Sequence, residues 1–136
     1  MRYFKMASMF AVIMLVAAAC TGYDTFPKGE SKGIESSASL KALIDSGATQ
    51  GDGEYRIVDV RPERKYNKGH IPTAINIPNG DVAASKENLP KDKKIIVYCE
   101  TGGRAQAAAK NKMGPAGYTQ IYNWGGFGKW EGEAEK

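Results

Sequence analysis

Short apolar runs alternate with amphipathic ones along this chain, and one run dominates. Ile95-Ile96-Val97-Tyr98 is continuously apolar, as in a strand covered on both faces, and it leads directly into Cys99. Glu100-Thr101-Gly102-Gly103-Arg104 follows, and the alanine-rich stretch from Arg104 to Met113 predicts a helix stopped by Gly114 and Pro115. Upstream, Leu40, Leu43 and Ile44 share one face of a helix over 38–45, capped by Ser36 or Ser37 and ended by Gly47. Tyr55 to Arg61 predicts a strand, and Pro62 breaks it and opens a helical turn through Tyr66. Ala74 to Ile77 predicts a short strand stopped by Pro78, and Asp81 to Asn88 a weak helix. Tyr118 to Tyr122 predicts the last strand, before a Trp124-Gly125-Gly126-Phe127 turn and a short helix to Trp130. Ile34 is expected to be a short first strand. Strands that alternate with helices imply an α/β domain with a mostly parallel sheet. In such sheets sites form beyond the carboxyl ends of strands, where Cys99 stands.

Length and composition narrow the class. At 136 residues, with 42% hydrophobic and 25% charged, the chain is one globular domain with room for a core. The formal charge is +4, but Arg2 and Lys5 lie in the first 19 residues; without them 17 basic residues face 15 acidic ones, net +2. That balance argues against nucleic acid as a partner.

The beginning of the chain reads as an address. Arg2 and Lys5 precede an uncharged run from Met6 to Ala19, ending Ala17-Ala18-Ala19-Cys20. This is the pattern of an export signal over residues 1–19, and its 14 uncharged residues are too few for an ordinary membrane-spanning helix. Either cleavage after Ala19 leaves Cys20 as a free thiol, or Cys20 becomes the lipidated first residue of a bacterial lipoprotein. Leu15 to Cys20 resembles a lipobox, and residues 20–33, rich in Gly, Ser, Thr and Lys, read as a spacer. The expected location is then periplasmic or at the cell surface, anchored to a bacterial membrane by lipid. An unmodified Cys20 could form a disulfide with Cys99 and block it.

The Cys99 stretch carries the chemistry. Glycines let backbone N–H groups curl around the sulfur, and a helix start adds positive potential. A thiol placed there is expected to be a thiolate that carries a second atom or group. Cys99 is therefore the candidate catalytic residue, with Glu100, Thr101, Gly102, Gly103 and Arg104 as candidate substrate-binding residues. Glu100 opposes thiolate formation and the approach of a doubly negative donor. The chain has one histidine, His70, and no Cys-x-x-Cys, so no metal site is expected. His70 reads as a structural loop residue, Asp59 and Arg61 as an internal ion pair, and Tyr98, Trp124, Phe127 and Trp130 as core aromatics.

Three blocks together resemble a single rhodanese (sulfurtransferase) domain over residues 34–132, with a tail at 133–136. They are Ile57-Val58-Asp59-Val60-Arg61-Pro62-Glu63 with Gly69-His70-Ile71-Pro72, the Ile95-to-Arg104 stretch, and Gly117-Tyr118 with Trp124-Gly125-Gly126. The resemblance implies a five-stranded, mainly parallel sheet flanked by helices. It also implies a Cys99 persulfide, formed from a small sulfur donor and discharged to a thiophilic acceptor such as cyanide or a protein thiol, without a cofactor. The loop amides from Glu100 to Arg104 would hold the persulfide, and Arg104 an anionic donor. Two other readings remain. Cysteine phosphatases and arsenate reductases share a strand–Cys–loop–Arg–helix design, though dual-specificity phosphatases have five residues between Cys and Arg, against four here. A non-enzymatic binding module could also use this fold.

Overall fold

The fold is taken from a computed structural model that describes residues 34–136. The export signal, Cys20 and the spacer therefore fall outside the described residues. Four strands form one parallel sheet: β1 (Tyr55–Asp59), β2 (Ile75–Asn76), β3 (Lys94–Cys99) and β4 (Ile121–Gly126), in the order β2-β1-β3-β4. Three α-helices accompany them: α1 (Ser37–Asp45), α2 (Glu63–Lys68) and α3 (Gly103–Ala108). β3 lies between β1 and β4, and its last five residues are buried. Its alternation divides the core. Ile95, Val97 and Cys99 face the layer that holds Ala105, Ala108 and Met113, whereas Ile96 and Tyr98 face Leu40, Ile57, Ile71 and Trp124.

The expected α/β architecture is present, with four strands rather than five. Ile34 is not a strand. It is buried, and its carbonyl accepts the Trp124 indole N–H at 2.8 Å, just before Ser36 starts α1. Ser36 and Ser39 form a reciprocal cap there, each side chain accepting from the other's backbone N–H. Residues 81–88 are turns and not a helix. Val82 alone among them packs on the core, and the Ser85 hydroxyl accepts from the Glu87 N–H, which diverts the backbone from helical bonding.

The last strand begins later and runs further than its apolar pattern implies. Tyr118 turns inward to donate its hydroxyl to the Leu89 carbonyl, so pairing starts at Ile121. It continues through Gly126 because a register shift beside Val97 and Tyr98 brings Gly125 opposite Tyr98 and Gly126 opposite Cys99. The helix expected to Met113 is α-helical only to Ala108 and then widens into a π turn over Ala109–Met113, closed by Gly114 N–H to the Ala109 carbonyl at 2.8 Å. Residues after 132 are tied to the domain, since His70 and Glu135 exchange backbone hydrogen bonds of 2.9 Å in both directions.

Candidate active site

Cys99 ends β3, and the chain wraps back over it at once. The Gly102 N–H donates to Cys99 Sγ at 2.9 Å. That turn places Gly102 at φ +97°, a left-handed conformation that costs any other residue about 1–2 kcal/mol. Asn123 fixes the turn from β4: its Nδ2 donates to the Gly102 carbonyl at 3.0 Å, and its Oδ1 accepts from Gly125 N–H at 3.0 Å. Sequence reasoning missed Asn123, because it sits within a stretch read as the approach to a turn.

The opposite wall of the loop needs glycine. A Cβ on Gly126 would collide with the Glu100 carbonyl oxygen, lie 3.0 Å from its carbonyl carbon and reach 3.1 Å from Thr101 Cα. These are backbone atoms and cannot rotate away. Gly126 itself has ordinary extended dihedrals, φ −108° and ψ 149°, so alanine suits its backbone. Gly126→Ala is expected to fold but to displace the loop, lowering kcat/KM for any reaction at Cys99 by about 10²-fold. Parallel measurement of turnover and thermal unfolding checks this.

Cys99 lies at the floor of a cleft of about 290 Å³. Arg61, Arg64, Lys65 and Arg104 wall it, and Glu100 and Thr101 form its rim. Four cations thus meet one carboxylate. Of the loop residues singled out from sequence, Gly102 donates to the sulfur, Glu100, Thr101 and Arg104 line the cleft with it, and Gly103 starts α3. The cysteine is buried, and the cleft is the side from which a reactant approaches it. A larger groove of about 590 Å³ lies between α2 and β2. It carries Glu63 and Glu87 but not Cys99.

A buried ionic network supports the cleft. Asp59 accepts from Arg61 Nε at 3.0 Å on both oxygens, from Arg61 Nη2 at 2.7 Å and from the Arg61 backbone N–H at 2.8 Å. Tyr98 donates its hydroxyl to Asp59 Oδ2 at 2.8 Å and accepts from the Ile71 N–H at 3.0 Å. Burial opposes the Arg61 charge, but the Asp59 hydrogen bonds and charge outweigh it and raise the guanidinium above its ordinary value. Burial first, and then the Asp59 charge, push the Tyr98 phenol well above 10. A raised folded value means that Tyr98 favours folding below the unfolded tyrosine pKa of about 10, and that this contribution is lost as pH rises beyond it. Denaturant titrations from pH 9 to 11 are expected to show stability falling more steeply for the parent than for Tyr98→Phe. His70 is structural, as expected: its Nδ1 donates to the Tyr66 carbonyl at 3.0 Å, and its ring stacks on Tyr66 at 3.7 Å.

Comparison with known proteins agrees with this fold. The family model for the rhodanese-like domain matches residues 36–133. The chain belongs to the rhodanese-like family. It is 33% identical over 100 residues to the Bacillus subtilis protein named "Putative sulfurtransferase YtwF", covering 74% of this chain and 91% of that one. The solution structure of the rhodanese-like domain of Anabaena Alr3790 superposes with a TM-score of 0.59 at 28% identity, covering 74% of this chain and 76% of that one. A Rhodopseudomonas palustris protein, RPA3614, whose structure is described as that of a possible tyrosine phosphatase, gives a TM-score of 0.56 at 30% identity over 74% of this chain and 82% of that one.

Proposed function

We propose that this rhodanese-like protein is a sulfurtransferase that moves a sulfane sulfur from a donor to a nucleophilic acceptor through a Cys99 persulfide. The supporting observation is the Gly102 N–H on Cys99 Sγ at the floor of a cationic cleft. The Cys99 thiolate attacks the outer sulfur of the donor. A new S–S bond forms, the donor's S–S bond breaks, and its electron pair leaves on sulfite if the donor is thiosulfate. An acceptor nucleophile then takes the outer sulfur and returns the thiolate. The leaving anion needs no proton, which suits a cleft whose described lining holds no histidine, and the Gly102 N–H aimed at the sulfur can stabilise negative charge there.

Phosphate-ester hydrolysis is the competing chemistry, and a non-catalytic binding role is the competing class. A donor labelled in its outer sulfur separates them. Label is expected on the protein and then in thiocyanate after cyanide is added. Hydrolysis of a phosphate ester, or reduction of arsenate, with no label on the protein would favour the phosphatase-type reading. Absence of all three would favour the binding module.

Export belongs to the same proposal and rests on Arg2, Lys5, the Met6–Ala19 run and Cys20. In this reading Cys20 carries lipid and holds the domain at a bacterial membrane, which leaves Cys99 without a partner for disulfide formation. Among the described residues no helix is long and apolar enough to cross a membrane. The mass of the mature N-terminus checks the reading: a diacylglyceryl-modified Cys20 supports it, and an unmodified Cys20 or an intact Met1 contradicts it.

A further inference from the structure

Among the described cations that line the cleft, Arg61 alone is buried. Its side chain is 4% exposed, and the Phe127 ring lies 4.2 Å from its Cζ. Nε and Nη2 spend their three N–H groups on Asp59 and on the Gly69 carbonyl at 2.7 Å. Nη1 is left to meet the cleft, where Glu100 Oε2 lies 3.5 Å away. The second oxygen, Glu100 Oε1, lies 3.9 Å from Lys65 Nζ. One carboxylate thus spans two cations beside the nucleophile, at distances longer than good hydrogen bonds. The Glu100 and Lys65 side chains are half exposed, so solvent screens this contact and an incoming anion can displace it.

We propose that Arg61 Nη1 and Lys65 Nζ form an anion seat next to Cys99, and that the Glu100 carboxylate is its built-in occupant. The seat itself follows from the geometry. Its consequence for substrates rests on the sulfur-transfer reading above. An oxyanion donor such as thiosulfate must expel Glu100 to reach the two cations. A neutral alkyl persulfide has no oxyanion to seat and needs no such displacement. In that reaction the Cys99 thiolate attacks the outer sulfur of RSSH, the donor's S–S bond breaks, RS⁻ departs, and the proton stays on the new Cys99 persulfide. The chain therefore selects persulfides over sulfur oxyanions, with Glu100 as the discriminating residue.

Protection of Cys99 from iodoacetamide, a neutral reagent, reads the seat without requiring any sulfur transfer. The full chain is titrated with sulfate at ionic strength held constant by chloride, and alkylation is followed on the Cys99 peptide. Glu100→Gln is expected to lower the half-protecting sulfate concentration by about two- to fivefold, as loss of a screened ion pair allows. Adding Arg61→Lys to Glu100→Gln is expected to reverse that gain. The ratio of kcat/KM for thiosulfate to kcat/KM for the alkyl persulfide is expected to rise by the same factor in Glu100→Gln. An unchanged half-protecting concentration in Glu100→Gln overturns the proposal. So does full protection in the double variant, or protection by chloride alone. Failure of sulfur transfer with intact sulfate protection would instead sink the functional reading and leave the seat standing.

Discussion

Cys99→Ser is expected to fold and to transfer no sulfur above the uncatalysed rate. The side chain is buried at the end of β3, and serine replaces one atom with a smaller one, leaving the packing around Val97 and Ala105 in place. The Gly102 N–H keeps an acceptor, now a hydroxyl oxygen. The chemistry has no such substitute. A serine hydroxyl is neutral at any pH the fold tolerates, it has no thiolate equivalent, and it forms no S–S bond. The four cleft cations can still gather an anionic donor, so donor binding is expected to survive the loss of turnover. A turnover assay with a calorimetric binding measurement and a thermal melt checks each part. Turnover near the parent's rate would place the sulfur-carrying group elsewhere.

Asp59→Ala is expected to destabilise the fold by about 3–5 kcal/mol, the usual effect of removing one partner from a buried ion pair. Asp59 is fully buried, and it receives the Arg61 side chain and backbone as well as the Tyr98 hydroxyl. Without it, a buried guanidinium keeps the Gly69 carbonyl and little else beyond the cleft edge. The cost arises from the charge left behind, so also replacing Arg61 with methionine is expected to recover part of it. Chemical denaturation of the single and double variants measures both effects. A loss below 1 kcal/mol in the single variant would mean that water already reaches the pair.

How far the sequence revealed this molecule depends on the range of each interaction. The Ile95–Cys99 strand, the Gly-Gly-Arg loop and the start of the following helix are local, and each is present where its residues indicate. The Ser36 cap and the Asp59–Arg61 pair are also written within a few residues, and both form. Longer-range features have no such signature. Asn123 reaches Gly102 across 21 residues of sequence, from a position opposite Val97 just before the register shift that carries β4 on through two glycines. The pairing of His70 with Glu135 spans most of the domain, and nothing in the periodicity of residues 133–136 announces it. The turns at 81–88 illustrate the reverse case, where residues with fair helical propensity lack the apolar face that tertiary packing requires. Glu100 was legible as a carboxylate beside a nucleophile, but its engagement with Arg61 and Lys65 was not, since those cations lie 39 and 35 residues earlier in the chain.

One measurement bears directly on the persulfide. The purified protein is treated with a sulfane-sulfur donor, digested without reductant, and its cysteine peptides are weighed. The account predicts a gain of one sulfur atom on the Cys99 peptide, removed by cyanide and missing from Cys99→Ser. A Cys99 peptide of unchanged mass, or a sulfur found only on Cys20, would contradict it.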